Sequence, residues 1–383
     1  MPFPLRIGVI GAGAIATQGH LPAFKRLPDV EVIALCDTAV ERAQAVAVQF
    51  AIPGVYADYR DLLAVSSIDA VTIALPNVLH APVTIAALEA GKHVLCEKPL
   101  ATTLADGQMM VDAAARAEKV LAVNMHYRVA AELDTLRSAI AAGRLGRVRY
   151  VNIRFLRRTG IPGFGSWFTQ RNLSGGGVLM DIGAHMLDLA LWLQGFPGVA
   201  VVRGEVQSLQ GPRGRGRGRW GSDTVSQGVF DVEDFASVHL RLAHGGAITV
   251  EVSWALYGED EERVQVLGEE GGADLFPALY GTTSPLHFFR YEGESLVDII
   301  PVLLPVSSGS GTGPVGRFAD ATRHSTEPTA TGQQALWASS IARYVAAIRS
   351  GTEPTATGQQ ALEVMKVLTA AYRSAAEGHE VLL

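Results

Sequence analysis

This 383-residue chain has few cysteines and lacks long apolar runs, and each of these features excludes certain classes of protein. Its two cysteines, Cys36 and Cys96, both end predicted buried strands, where a thiol behaves as a small apolar group. We therefore expect neither a disulfide nor a metal site. No apolar run reaches the roughly 18 residues that a membrane span needs, and the first strand begins at once without a charged leader. We accordingly expect a cytoplasmic protein with no membrane partner.

Positive charge is also in the minority, with 32 Lys and Arg against 38 Asp and Glu, a formal net charge of -6. Binding a nucleic acid requires a basic face that neutralises phosphates, so we expect no nucleic-acid partner. One basic cluster interrupts this pattern, because residues 211–219 alternate glycine and arginine after Pro212. Its low complexity favours a solvated, mobile loop, and contact with a phosphate or a nucleic acid is the alternative.

The length of the chain favours two domains. Within residues 1–126, short continuous apolar runs alternate with helical patterns, which is typical of parallel strands covered on both faces by helices. We predict an α/β domain here, a doubly wound parallel sheet of the Rossmann type that binds a dinucleotide. The predicted strands span residues 5–10, 30–36, 70–75, 93–96 and 121–125.

Residues 127–383 show a different pattern, in which a helix over 130–142 is followed by longer strands that partly alternate. Glycine turns between strands favour a large, mostly antiparallel open sheet in an α+β domain that binds substrate and mediates oligomerisation. Two closing helices, 337–350 and 359–376, belong to this domain or pack back on the first one. The predicted strands span residues 148–155, 199–206, 235–242, 247–254 and 263–267.

One segment of the second domain occurs twice, since residues 326–336 recur as 352–362. A solenoid needs three or more repeat units, so a local duplication is the better interpretation. The second copy leads into the last helix, so we expect the second copy, rather than the first, to have a structural role in the fold.

A glycine motif follows the first predicted strand and opens a helical pattern. Gly11 allows a tight turn, Gly13 allows backbone amides to approach a pyrophosphate, and Ala16 is small enough for close packing of helix on strand. Ala14 and Ile15 begin the helix, whose N-terminus carries free amides and partial positive charge. The strand, turn and helix together predict a dinucleotide site at these residues.

Asp37 ends the second predicted strand, 26 residues after Gly11. A carboxylate at this place accepts hydrogen bonds from the ribose hydroxyls and repels a 2′-phosphate, which favours NAD over NADP. The alternative is that Asp37 caps the helix that starts near Val40, a role for which Thr38 is an equally good candidate.

Lys98 stands just after the strand over 93–96, at the carboxyl edge where open parallel sheets hold their ligands. Its ammonium can donate a hydrogen bond to a substrate hydroxyl and stabilise developing alkoxide charge. Glu97 either positions this lysine or contacts the nicotinamide ribose. Pro99 restricts Lys98 to an extended backbone and leaves the isomer of the Lys98–Pro99 bond open.

Asp181 and His185 are four residues apart, so they share one face of a helix predicted over 181–193. An imidazole titrates near neutral pH and can move a proton in either direction, while the carboxylate can orient the ring. The alternative makes Asp181 an N-cap and His185 a core residue. Three glycines at 175–177 favour a close approach to a ligand. Asp188, on the same face, either binds substrate or makes a packing contact.

These motifs, in this order, resemble the glucose–fructose oxidoreductase, inositol dehydrogenase and rhizopine catabolism (Gfo/Idh/MocA) family over nearly the whole chain. The resemblance rests on the glycine motif, Asp37, Glu97 to Pro99, and residues 175–188, and it adds Pro76, Asn77 and His80 to the cofactor site. It implies an NAD(P)-dependent oxidoreductase in which Lys98, Asp181 and His185 are catalytic. The reaction it implies is reversible hydride transfer between nicotinamide and a ring hydroxyl of a sugar, sugar derivative or cyclitol.

Several side chains between the domains are candidates for binding this polyhydroxylated substrate, because aromatic faces and fixed donors suit a hydroxylated ring. Arginines select a carboxylate or a phosphate equally well, and each of these residues could instead be an ordinary interface side chain. The candidates are Arg128, Arg157, Trp167, Arg171 and Asp188, with Arg158 and Gln170 beside them.

Two other functions remain open for such a chain. A related branch uses bound NAD transiently to break a glycosidic bond without net formation of NADH. A third class keeps the fold as a nucleotide-binding regulator without catalysis, and the presence of both Lys98 and His185 counts against it.

Assembly can also be predicted from the second domain. The strands over 235–242 and 247–254 carry apolar residues at both parities, which predicts an exposed apolar sheet face. Related proteins bury such a face against a second subunit, so we predict a homodimer or homotetramer with two-fold symmetry. The alternative is that the chain's own segments cover the face, namely residues 211–219 or 301–325.

Overall fold

The first sheet has six parallel strands in the order β3-β2-β1-β4-β5-β6, which is a doubly wound topology and confirms the predicted fold class. The computed structural model describes residues 4–221, 228–276, 286–301 and 332–383. Strand β3 was not predicted because three residues are too few to show a periodic pattern. The strands are β1 Leu5–Ile10, β2 Val30–Cys36, β3 Gly54–Tyr56, β4 Ala70–Ile73, β5 His93–Cys96 and β6 Leu121–Val123.

Helices cover both faces of this sheet. The first helical segment leaves the glycine motif as a π-helical turn, Ala16–His20, and continues as α1. Thr103 caps α5 by accepting a hydrogen bond from the amide of Asp106 at 3.1 Å, and Asp58 caps α3 in the same way through Arg60 at 2.8 Å. The helices are α1 Leu21–Lys25, α2 Val40–Phe50, α3 Tyr59–Leu63, α4 His80–Glu89 and α5 Leu104–Ala117.

The second sheet has nine strands in the order β14-β13-β12-β11-β7-β10-β9-β8-β15. Among the described residues, β7 and β10 form its one parallel pair and every other pair is antiparallel, as predicted. The sequence pattern missed the last four strands, which are short or polar. The strands are β7 Val148–Leu156, β8 Val199–Gln207, β9 Phe235–Leu242, β10 Ala247–Ser253, β11 Glu261–Gly268, β12 Gly272–Leu275, β13 Leu286–Glu292, β14 Ser295–Ile299 and β15 Val381–Leu382.

Helices of the second half divide between the two sheets. The inner face of the second sheet packs against α8 and α10, whereas α9 packs on α1 and places Ile341, Tyr344 and Val345 in the core of the first domain. The stretch Arg171–Leu193 has the length and composition of a membrane span, but 94% of its most apolar 18-residue window is buried within the protein, as in a core helix. The helices are α6 Ala131–Ala141, α7 Arg171–Ser174, α8 Ala184–Leu193, α9 Gly332–Ser350 and α10 Gly358–Glu377.

The open face of the second sheet is polar, so the predicted apolar face is wrong. Side chains of β9 and β10 alternate regularly, and Val250 and Val252 are fully buried on the inner face. The outer face carries cross-strand ion pairs instead, in which Arg154 contacts Glu251 at 2.9 Å and Glu261 at 2.6 Å. Because most residues of these two strands are apolar, the sequence analysis did not recognise that buried and less buried positions alternate every two residues.

Residues 211–219 are exposed over most of their length, as the interpretation of a solvated loop expects, but hydrogen bonds hold the segment against the protein. Its backbone pairs with a neighbouring segment, since Gly160 N donates to Gly216 O at 3.0 Å and Gly218 N donates to Ile161 O at 2.8 Å. A Cβ at Gly218 would lie 2.8 Å from the Gly160 carbonyl carbon. The glycines allow this close approach, while the arginines between them stay exposed to solvent.

The second copy of the repeated segment begins α10, as expected. Thr357 and Gln360 form a capping box at the helix start, in which the Gln360 amide donates to Thr357 Oγ1 at 3.1 Å. Residues 332–336, which end the first copy, form the start of α9. Residues 302–331, which include the rest of the first copy and most of the 301–325 segment proposed as a cover, lie outside the described residues.

Candidate active site

A cavity of about 630 Å³ lies at the carboxyl ends of β1, β4 and β5 and extends to the second domain. The strand order changes direction between β1 and β4, which is where doubly wound sheets bind their ligands. Its lining includes most of the predicted site, namely Gly11, Gly13, Ala14, Ile15, Asp37, Pro76, Asn77, Glu97, Lys98, Arg157, Trp167, Asp181 and His185.

The glycine motif has the geometry that a dinucleotide requires. Gly11 has a φ of +102°, and a Cβ there would overlap the Ala74 carbonyl oxygen, so only glycine fits this turn. Beside Gly13, by contrast, a Cβ would meet no atom within 4 Å, which leaves open space above the start of the helix. Ala16 is fully buried against the sheet. These residues fit a pyrophosphate at the helix N-terminus.

Asp37 is held in place by hydrogen bonds from the backbone and from an arginine that the sequence analysis missed. One carboxylate oxygen accepts from Ala12 N and the other from Ala39 N, each at 2.8 Å, and Arg42 Nη2 donates at 2.9 Å. Burial raises the pKa of Asp37, but these donors outweigh it and keep the pKa below its ordinary value of 3.8. Ala39 rather than Asp37 is the N-cap residue of α2.

His80 does not line the cavity, which corrects its assignment to the cofactor site. Its ring is fully buried, and its two nitrogens lie 2.7 Å from Pro99 O and 3.0 Å from Leu75 O. His80 therefore fixes two loops that follow β4 and β5. Asn77, which does line the cavity, donates from Nδ2 to Ser174 O at 2.8 Å and so joins the two domains.

Glu97 lines the cavity and belongs to a buried hydrogen-bond network. Its Oε1 lies 2.7 Å from His20 Nε2 and accepts from Asn124 Nδ2 at 2.7 Å. Burial raises the pKa of Glu97, but the partners His20 and Asn124 outweigh it and lower the pKa to about 2. Its Oε2 accepts from the backbone amide of Lys98 at 3.3 Å, so Glu97 positions the lysine through the main chain.

Lys98 and Asp181 form an ion pair inside the cavity. Lys98 Nζ donates to Asp181 Oδ1, and Trp254 Nε1 donates to Asp181 Oδ2 at 2.9 Å. The Lys98–Pro99 peptide bond is cis. Asp181 therefore orients Lys98, whereas the sequence analysis had it orient His185.

His185 follows a π-helical turn, Leu179–Gly183, that interrupts the predicted regular helix. Its Nδ1 is buried and has no hydrogen-bond partner among the residues that the structure describes. Burial, with a smaller effect of His126 and Lys98, holds the pKa of His185 well below 6.5. The imidazole is therefore neutral at physiological pH and lies in the same cavity as the Lys98 ammonium.

Three of the predicted substrate residues lie outside the cavity lining. Arg128 and Asp188 form a buried ion pair, with Arg128 Nε donating to Asp188 Oδ2 at 2.8 Å. Arg128 also donates to Thr355 O at 2.8 Å, so the pair secures the start of α10. Arg171 is half exposed and lies 3.6 Å from Glu233. The contacts of Arg128 and Asp188 are those of a structural pair, whereas Arg157 and Trp167 line the cavity and remain candidates for substrate binding.

The sequence analysis missed most of the cavity's aromatic lining. These residues come from six separate segments that share no motif, so their aromatic character is the one signal that sequence analysis could have used. They are Tyr59, His126, Tyr127, Phe168, Trp220, Trp254 and Trp337.

Comparison with known proteins agrees with this geometry. Residues 5–125 match the NAD-binding Rossmann fold of the Gfo/Idh/MocA oxidoreductase family, and residues 133–274 match its C-terminal domain. The chain belongs to the Gfo/Idh/MocA family. It is therefore an NAD-dependent oxidoreductase, and the residues at the glycine motif and Asp37 fit that cofactor.

Named relatives act on sugars. The chain is 38% identical to D-glucoside 3-dehydrogenase of Escherichia coli (strain K12) over 72% of its own length and 78% of that protein's. It is 32% identical to 1,5-anhydro-D-fructose reductase of Ensifer adhaerens, covering 87% and 92%. The fold is shared with levoglucosan dehydrogenase in complex with NADH, with a TM-score of 0.80 at 23% identity over 99% of both chains.

Proposed function

We propose that this oxidoreductase reversibly oxidises a ring hydroxyl of a glucoside, and that the hydroxyl at C3 is the one that reacts. The observation that carries the proposal is that Lys98, Asp181 and His185 line the same cavity as the dinucleotide motif. Support for the position on the ring comes from the similarity to D-glucoside 3-dehydrogenase.

Oxidation of a secondary alcohol removes a hydride from carbon and a proton from oxygen, and NAD, when bound, supplies the hydride acceptor. Gly11 and Gly13 would hold the pyrophosphate of that cofactor at the helix N-terminus, and Asp37 would bind its ribose. The protein's own task is to bind the alcohol and take its proton.

Lys98 and His185 divide that task. The Lys98 ammonium, held by Asp181, donates to the reacting hydroxyl and stabilises negative charge on its oxygen. His185 is kept neutral by burial, so its imidazole can accept the proton. In the reverse direction, the protonated imidazole returns the proton to the alkoxide.

Aromatic side chains shape the rest of the cavity. Trp167 stacks on Phe168 with ring centroids 3.8 Å apart, and Trp220 lies 5.9 Å from Trp337. Flat apolar surfaces next to a few fixed donors suit the faces and hydroxyls of a pyranose. Trp220 directly follows residues 211–219, so that segment holds one wall of the substrate site.

A screen of glucosides, cyclitols and aryl glycosides tests the proposal. With NAD present, we expect NADH absorbance to rise with a glucoside and a 3-keto product to be found by mass spectrometry and NMR. Cleavage of an aryl glycoside without net NADH would replace the proposal with the redox-neutral glycosidase. NAD binding without turnover of any compound would favour the regulator.

We also propose that two copies associate with two-fold symmetry through the polar outer face of the second sheet, in place of the apolar contact first expected. Support comes from the pairing of Arg154 with Glu251 and Glu261, which neutralises charge on this face and so lowers the repulsion between two copies. Light scattering tests this, and a monomer at micromolar concentration would contradict it. A cytoplasmic location stays a prediction, supported by the buried free thiols of Cys36 and Cys96.

A further inference from the structure

The repeated segment occupies two different places in the fold. In the second copy, Gln360 supports the fold, because it completes the capping box of α10 and accepts from Arg128 Nη1 at 2.6 Å. Gln359, beside it, is exposed. The first copy places the equivalent glutamines, Gln333 and Gln334, in the first turn of α9. There Gln334 is exposed, whereas Gln333 lines the cavity.

The start of α9 is fixed against the first domain. A Cβ at Gly19 would lie 3.0 Å from Trp337 Cε3, so the indole packs directly on the π-helical turn that follows the glycine motif. Ser340 Oγ donates to Asn124 Oδ1 at 2.8 Å. Gln333, Trp337 and Ser340 share one face of the helix, because they are separated by four and then three residues. This face turns Gln333 towards the first domain.

Helix α9 runs parallel to the first helical segment. Trp337 lies against Gly19 near the start of both, and further along both Arg349 Nη2 donates to Asp29 O at 2.6 Å. One turn before Trp337, Gln333 therefore lies level with the start of the first helical segment, one turn before Gly19. That start is the helix N-terminus that fits a pyrophosphate.

The side-chain amide of Gln333 is open to the cavity. Gln333 is half-buried, and its amide has no hydrogen-bond partner among the residues that the structure describes. It differs in this from the indole N–H of Trp337, which is fully enclosed by protein. An amide nitrogen donates two hydrogen bonds, so Nε2 is available to a group that enters the cavity.

Two of the three lysine and arginine residues in the described cavity lining are already paired with carboxylates. Arg42 is paired with Asp37 and Lys98 with Asp181, while Arg157 follows β7 in the second domain. A pyrophosphate at the helix start therefore depends on neutral donors, and hydrogen bonds to a charged acceptor are stronger than those between neutral groups.

We propose that Gln333 is a cofactor-binding residue whose Nε2 donates a hydrogen bond to the pyrophosphate of NAD. The glycine motif does not predict this contact, because α9 supplies it from the other end of the chain. The contact involves the cofactor and not the sugar. The inference therefore goes beyond the proposed function and does not depend on it.

Titration of the full chain with NADH, followed by fluorescence, tests the proposal. Gln333→Ala should weaken NADH binding about tenfold, because a hydrogen bond to a charged group is lost. Gln333→Glu should weaken it further, since its carboxylate repels the phosphates. The matched controls Gln334→Ala and Gln334→Glu change the neighbouring exposed glutamine and should stay within about twofold of the wild type.

Competition by fragments of the cofactor locates the contact. ADP-ribose contains the pyrophosphate but lacks nicotinamide, and adenosine lacks the phosphates. Gln333→Ala should weaken binding of ADP-ribose as much as that of NADH and leave binding of adenosine unchanged. A loss for NADH that ADP-ribose does not share would assign the contact to the nicotinamide side and overturn the proposal.

The proposal is also overturned if Gln333→Ala binds NADH within about threefold of the wild type. A higher KM for the sugar at unchanged NADH affinity would assign Gln333 to the substrate instead. Thermal unfolding shows whether each variant is folded, and if Gln333→Ala is not, Gln333→Met decides the question. Because binding is measured without turnover, failure of the proposed sugar oxidation would leave this test intact.

Discussion

Asp181 lies between Lys98 and Trp254, accepting from the lysine ammonium with one carboxylate oxygen and from the indole at 2.9 Å with the other. Asp181 is therefore paired with Lys98 and Trp254, whereas the sequence analysis expected it to orient His185. In the proposed reaction, the anchored ammonium of Lys98 therefore stabilises charge while the imidazole of His185 transfers the proton.

Substitution of the catalytic groups should reduce turnover without loss of cofactor binding. For Lys98→Met and for His185→Asn, we expect kcat to fall by about two to four orders of magnitude, the range for an acid–base group. Asp181→Asn should also lower kcat, because the lysine loses its anchor. Steady-state kinetics and NADH fluorescence measure these effects, and near-normal turnover of a variant would contradict the role of its residue.

The pH profile of oxidation should report the lowered pKa of His185. Oxidation requires the neutral imidazole, so activity is present above that pKa and is lost as the pH falls through it. Since burial lowers the pKa, we expect the acid limb of kcat/KM below pH 6.5, the ordinary value for histidine. Reduction of the ketone requires the protonated ring and should become faster towards low pH. An acid limb for oxidation at or above pH 6.5 would overturn this account.

Cofactor preference should depend on the pairing of Asp37 with Arg42. We expect the wild type to bind NAD more tightly than NADP, because the ionised Asp37 repels a 2′-phosphate. Asp37→Ser frees the Arg42 guanidinium and should shift the preference towards NADP. The double variant Asp37→Ser, Arg42→Ala serves as the control and should lose that gain. Calorimetric titration gives the affinities, and a wild type that prefers NADP would contradict the prediction.

The buried pair of Arg128 and Asp188 should affect stability more than catalysis. Arg128→Ala leaves the Asp188 carboxylate unpaired, which costs about 3–5 kcal/mol of unfolding free energy. Replacing both residues together, Arg128→Met with Asp188→Leu, should restore most of that loss. Denaturant unfolding measures the stability, and KM of the double variant should stay close to the wild-type value. A large rise in KM at unchanged stability would instead favour the substrate role first expected.

The sequence by itself determined the elements that are local. The glycine motif, Asp37 and the Glu97 to Pro99 motif each follow a short apolar strand, so periodicity and neighbouring residues were enough to place them at one sheet edge. The boundaries of β1, β2, β5 and β9 also agree with the prediction, because their apolar residues form continuous or alternating runs.

Only the tertiary structure decided which polar groups became partners. The helical spacing of Asp188 left a substrate contact and a packing contact equally open, and the structure pairs it in the core with Arg128, 60 residues earlier in the chain. Asp181 met Lys98 for the same reason, since the two domains bring together residues that are 83 positions apart. Side-chain pairing depends on distance in space and on burial, whereas periodicity reports only the local direction of each side chain.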